Sequence, residues 1–297
     1  MAKTDPKTPS TETAVAQANP NAGAVINPED YAAYAGSGFE NQTADDYAIP
    51  FLGILQALSP QCTEDPEKFR QGMIVNTVTG ELFDGKKGIV FVPALTEHLY
   101  VEWKDRKAGG GFVGVHQPAD EFVRRCLEES AKRNLPYGKV KTGPEELANE
   151  LIETFYVYGV LVDGDGNSSE AVLAFNSTKI KVYKGWMTKA KTIQIALADG
   201  RRIPAPLFAH RYRLTTVSEK NAKGQFYNWT VGFDGDNAVQ CRLAPNDPLF
   251  QQAVNVKILI QSGKARAAHE TAGGSADTPE DGGAGAPDAS GKAKPVF

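Results

Sequence analysis

The residues with the clearest chemistry are cations. Between Ser177 and Gly224 stand Lys179, Lys181, Lys184, Lys189, Lys191, Arg201, Arg202, Arg211, Arg213, Lys220 and Lys223 against only Asp199 and Glu219, so eleven positive charges meet two negative ones and the segment carries +9. The chain as a whole is acidic, with 32 Lys and Arg against 36 Asp and Glu and a formal charge of −4. A basic segment within an acidic chain has the composition that neutralises phosphates, because each Lys or Arg that meets one releases condensed counterions. A solvated basic face is the alternative reading.

A groove for single-stranded nucleic acid adds flat rings on which bases stack, each stack contributing about 1 to 3 kcal/mol. Phe226, Tyr183, Trp186 and Trp103 lie in or beside basic sequence. Each of these rings, taken alone, is more often a core residue than a base-stacking one. Trp103 sits in VEWKDRKAGGG, where Lys104 and Arg106 lead into three glycines; this reads either as a mobile cationic loop or as a plain β-turn. The expected nucleic-acid-binding set is Lys179, Lys181, Lys184, Lys189, Lys191, Arg211, Arg213, Lys104 and Arg106 for phosphates, with Tyr183, Trp186, Phe226 and Trp103 as stacking candidates.

Other chemistry finds no support in the spacing. Gly109, Gly110 and Gly111 lack the Gly-Lys-Ser/Thr ending of a phosphate-binding loop. His98, His116, His210 and His269 are scattered, without Glu or Cys at ligand or triad spacing. Cys62, Cys126 and Cys241 are odd in number and widely spaced, which argues for a reducing compartment and against a disulfide framework or zinc cluster. The Asp163, Asp165, Asn167 spacing suits calcium, but the closing Glu is missing, and a hairpin turn is the better reading. With no clustered carboxylates for two-metal catalysis, the expectation is a protein without catalytic residues, metal or cofactor, and not an enzyme.

These residues have to be positioned by a β-rich core. The apolar residues Phe51, Leu52, Ile54, Leu55 and Leu58 have helical spacing up to Ser59-Pro60, which reads as a short packed helix or a turn. Strand patterns follow in MIVNTVTGELFDG, with a turn at Thr79-Gly80, and in GIVFVPAL, HLYVEWK and GFVGVH. Residues 120–133 form an amphipathic pattern with Phe122, Val123, Cys126 and Leu127 on one side, and Pro144 to Leu151 continues as helix after a Gly-Pro start. ETFYVYGVLVD and EAVLAF pair across Gly164-Asp165-Gly166-Asn167. Ser177 is the expected N-cap of a basic helix that includes Trp186, with Gly185 costing it about 1 kcal/mol relative to Ala. FAHRYRLTTVSEK and QFYNWTVGFD form a hairpin in which partner numbers sum to 445. That register puts Arg211, Arg213, Thr215, Phe226, Asn228 and Thr230 on one face and Tyr212, Leu214, Thr216, Tyr227, Trp229, Val231 and Phe233 on the apolar one. Asp247-Pro248 opens the last helix.

Residues 1–30 are too poor in large apolar side chains to order themselves, and 267–297 repeat that composition with acids Glu270, Asp277, Glu280, Asp281 and Asp288 before closing on Pro295, Val296 and Phe297. The expected organisation is a disordered N-terminal arm (1–30), a core (31–266) and a disordered acidic tail (267–297). No leader and no membrane span is legible, so a soluble protein of the cytoplasm is expected.

The stretch from FNSTKIKVYKGW through PLFAHRYRLTTVSEKNAKGQFYNWTVGF resembles bacteriophage single-stranded DNA-binding proteins of the OB-fold type, over about a third of the chain. The resemblance implies an α+β protein, mainly β with inserted helices, built on an OB-like antiparallel barrel with a long β-hairpin. It implies sequence-tolerant single-stranded DNA as partner, in replication or recombination in the host cytoplasm. The tail is similar to those with which such proteins recruit replication partners, Phe297 being the expected partner-binding residue, although Lys292 and Lys294 interrupt the acids near its end. A homo-oligomer is compatible with this. The alternative is a phage structural or assembly protein whose β core and arms contact other subunits.

Overall fold

The computed structural model describes residues 48–269 except 137, 222 and 223, together with a few positions between 31 and 41. The chain divides into a unit ending at Gln42 and a compact unit from Thr43 onward, later than the core start expected at residue 31. In the first unit Tyr31 and Tyr34 are exposed in a short 3-10 turn, and the Ser37 N–H donates to the Tyr34 carbonyl. The segments 1–30 and 270–297, with Phe297, lie outside the described residues.

In the compact unit the elements run β1 (Ala48–Ile49), β2 (Leu52–Ile54), α1 (Pro60–Glu64), β3 (Ile74–Asn76), β4 (Leu82–Phe83), β5 (Ile89–Trp103), β6 (Phe112–His116), α2 (Glu121–Lys132), β7 (Val140–Lys141), β8 (Glu150–Val162) and β9 (Ser168–Asn176). They continue with α3 (Lys179–Thr192), β10 (Gln194–Ala196), β11 (Arg202–Pro204), β12 (Tyr212–Asn221), β13 (Gly224–Phe233), α4 (Pro248–Gln261) and β14 (Arg266–Ala267). The class is α+β, mainly β with a few helices.

The expected barrel is replaced by open sheets. β5 and β8 pair antiparallel along almost their whole length and form the spine of a seven-stranded antiparallel sheet. On the other edge of β5, β12 pairs at Ile89–Phe91 and β6 at Tyr100–Trp103, while β8 takes β9 and β7 on its own outer edge. β13 hangs on β12 as a terminal strand. The runs GIVFVPAL and HLYVEWK thus form one strand of fifteen residues, with a register shift between Pro93 and Leu95; proline has no N–H for the ladder, and a bulge is where a strand tolerates one.

Each face of the sheet has its own core. On one face Val92, Val101, Trp103, Tyr156 and Val172 pack with α4 residues Ala253 and Val256, and with Ile49 and Ala267 of the small parallel pair β1–β14. On the other, Phe91, Phe155, Leu173 and Phe175 pack with Trp186 of α3, with Tyr212, Leu214 and Trp229 of the hairpin, and with Leu52, Ile54 and Ile74 of the β2–β3–β4 sheet.

The helix or turn expected from Phe51 to Leu58 is a strand followed by a turn at Ala57 and Leu58, and the helix expected from Pro144 to Leu151 is absent. Phe51 to Leu55 is buried on every side chain and runs as strand, because β3 and β9 flank it with unpaired edges: Leu52 pairs with Asn76, and the Val172 N–H donates to the Pro50 carbonyl. A short fully apolar run reads equally as buried strand or buried helix. Pro144 to Asn149 forms a loop closed by Thr142 N–H on the Asn149 carbonyl, with the Lys141 ammonium donating to the Ala148 carbonyl at 3.0 Å, and Glu150 and Leu151 open β8. Of the residues expected in the tail, Ala267 belongs to β14, the Ala268 N–H donates to the Ile49 carbonyl, and His269 stacks on Phe112 at 4.3 Å. Among the described residues no helix is long and apolar enough to cross a membrane.

Candidate nucleic-acid interface

Helix α3 begins one residue later than its sequence suggests. Ser177 takes a positive φ of 47°, and Thr178 is the N-cap without a side-chain capping bond. The helix is held instead by its buried face, where Tyr183, Trp186, Met187 and Ala190 recur at the spacing of one helical side. Trp186 is 4% exposed, edge-on to Tyr212 at 5.2 Å. It is therefore a core anchor with no ring face to offer. Trp103 is likewise withdrawn, 6% exposed and edge-on to Phe112.

The opposite side of α3 presents Lys181, Lys184, Lys189 and Lys191, all exposed and, among the described residues, without a carboxylate partner. They spread over a helix about 21 Å long. Lys179 is half-buried at its start. Arg202 is exposed on β11 just beyond, whereas Arg201 is paired with Asp199 at 2.6 Å.

The hairpin register is as the sequence suggests, with Arg213 opposite Gly232, Thr215 opposite Thr230 and Lys220 opposite Gln225. Arg211 and Arg213 share its polar face, but Asp234 lies between them, 2.6 Å from Arg213 Nη2 and 3.4 Å from Arg211 Nε. That carboxylate falls just outside the segment in which the basic charge is concentrated and offsets one of the pair's two charges, Arg213's above all. Phe226 is half-exposed, opposite Glu219 near the hairpin end. Lys223 lies outside the described residues.

The loop after Trp103 is anchored rather than mobile. Asp105 accepts from the Lys107 N–H at 2.9 Å and from Lys141 Nζ at 2.6 Å, and these bonds hold its carboxyl below the usual carboxylate range, the Lys141 bond first. Lys107 pairs with Glu146. Lys104 and Arg106 are exposed on this loop, beside a turn of three glycines with positive φ.

A feature that sequence spacing missed joins α3 to α2. Six rings follow one another across the sheet: Tyr183 stacks on Phe155 (4.5 Å), Phe155 on its cross-strand partner His98 (4.3 Å, 11°), His98 meets Tyr100 (6.0 Å), Tyr100 is paired across strands with His116, and His116 meets Phe122 of α2 (4.8 Å). Lys184 stands over the second ring, Phe155, at 5.9 Å, and Arg125 over the last, Phe122, at 5.7 Å. Two carboxylates fix the imidazoles: Glu153 Oε1 lies 3.0 Å from His98 Nε2, and Glu102 Oε2 lies 2.8 Å from His116 Nε2 while Glu102 Oε1 accepts from Asn149. The His98 side chain keeps 39% of its surface. The arrangement presents rings in a row with the lysines of α3 along one side, and the carboxylates of Glu153 and Glu102 lie among the rings on the same face of the sheet.

Among the described residues no group of His, Cys, Asp and Glu is placed to hold a metal ion. No curated protein and no solved structure matches the chain. Residues 18–266 match the family model described as Pam3 phage gp34-like protein, so that most of the chain, including every element from β1 to the first residue of β14, falls within it, and the chain belongs to this bacteriophage protein family.

Proposed function

We propose that the protein binds single-stranded DNA with little sequence preference and performs no chemistry on it. The observation that carries the reading is the row of six rings from Tyr183 to Phe122 bordered by the unpaired lysines of α3. Bases stack on the accessible parts of the row while the phosphodiester backbone runs along Lys181, Lys184, Lys189 and Lys191. The four middle rings of the row, Phe155, His98, Tyr100 and His116, lie on strands, as stacking rings do in OB-type domains, and the reading needs no closed barrel. A role in phage replication or recombination in the host cytoplasm, with the acidic tail recruiting partners through Phe297, follows from this reading. A fluorescent oligothymidine titrated with full-length protein across a salt series, beside its duplex form, tests it. Binding to the single strand that weakens steeply with salt is expected, and no binding at micromolar protein in about 50 mM salt overturns it.

One observation favours a second reading, a phage assembly protein. β13 is a terminal strand of ten residues without charge or proline, and such an edge is a template for another strand. Ordered homo-oligomers that form regardless of DNA distinguish that reading.

A further inference from the structure

Gly185 stands in the middle of α3, is exposed, and would meet nothing within 4 Å if it carried a Cβ. Its φ is outside the positive range in which glycine is favoured. Neither packing nor backbone geometry accounts for a residue that weakens the helix at this point. Its surroundings do. Helical spacing puts Lys181 one turn before it and Lys189 one turn after it on the same line, with Lys184 beside it. Two ammonium groups thus flank a bare stretch of helix backbone.

We propose that Gly185 is the seat of one phosphodiester of the bound strand. The inference rests on the nucleic-acid reading above and names the point at which the backbone touches α3. Without a side chain at 185 a phosphate settles against the helix, within reach of the Lys181 and Lys189 ammonium groups from both sides. A side chain there lifts the phosphate away from both, and the loss grows with the length of the side chain. Glycine is the residue used where a ligand backbone must approach closely.

The test uses full-length Gly185→Ala and Gly185→Gln beside the unmodified protein, with thermal unfolding and anisotropy titrations of a labelled oligothymidine over a salt series. Both replacements are better helix formers, so Tm rises by about 2 to 4 °C. Affinity falls nonetheless, about threefold for Ala and about tenfold for Gln. For Gln the slope of log K against log salt becomes shallower by about 0.7, the value for one phosphate of a single strand. Raised Tm with unchanged affinity and slope in both variants overturns the seat and leaves the binding reading standing. Lowered Tm in both variants shows that the glycine serves the fold, and also overturns it. Absence of binding by the unmodified protein overturns the reading and the seat together.

Discussion

The side-chain amide of Gln56 is bonded to the backbone of Tyr227 in both directions, Nε2 donating to the carbonyl at 2.9 Å and Oε1 accepting the N–H at 2.8 Å. These are the bonds a neighbouring strand would make, so a glutamine occupies one rung beside the outer edge of β13. Next to it the Asn228 side chain accepts the Trp229 N–H. The edge is thereby partly closed against other chains. Gln56→Ala is expected to lower stability by about 1 to 2 kcal/mol and to cause concentration-dependent self-association in sedimentation velocity. Lower stability with a strictly monomeric profile would count against this blocking role.

The contrast between paired and unpaired cations predicts unequal mutants. Replacing Lys181, Lys184, Lys189 and Lys191 together by Ala should flatten the salt slope of single-strand binding by about 2, at about 0.7 per phosphate with Lys181 and Lys189 sharing one. Arg213→Ala should leave affinity within about twofold, because Asp234 already neutralises that arginine, and should show itself in thermal stability instead.

The ring row is tested at its accessible members. His98→Ala and Tyr183→Leu are each expected to lose about 1 to 3 kcal/mol of binding while remaining folded, measured by titration beside circular dichroism. Phe155→Ala is uninformative for binding, since Phe155 is buried between the two and its loss costs the fold about 3 to 5 kcal/mol.

Burial holds His269 at a pKa of about 4, below the ordinary 6.5, and lowers His210 in the same direction. The unfolded chain therefore binds more protons than the folded one between about pH 4 and 6.5, and stability rises with pH through that window and is complete above it. The His269 share amounts to as much as about 3 kcal/mol. Denaturant titrations at pH 4.5 and 7.5 should show the protein weaker at the lower pH, and His269→Phe should narrow the difference.

What could be read from the sequence was local. The hairpin register follows from alternation on either side of one turn, the helices 121–132 and 179–192 from their buried stripes, and the α4 start from Asp247-Pro248, whose carboxylate accepts the Leu249 N–H. Long-range pairing was not legible. His98 with Glu153 and His116 with Glu102 are 55 and 14 residues apart and meet only through the registers of β5 with β8 and β6. Asp234 escaped attention for a related reason, since it reaches Arg213 by crossing the hairpin at its open end. Trp103 and Trp186 lie in basic sequence yet point inward, and only the packing of the two sheet faces separates a ring beside charge from a ring available to a base.

The parallel pairing of β1 with β14 sets Ala48 opposite Arg266 and Ile49 opposite Ala267. The first and last strands of the compact unit thus lie about one strand spacing, some 4.8 Å, apart. A circular permutant joining residue 269 to residue 48 through a few glycines, with new termini in the exposed 163–167 turn, should keep the same fold. Deletions of the C-terminal arm belong after His269: a cut at 266 would strip out half of this clasp and report on its loss instead of on the arm.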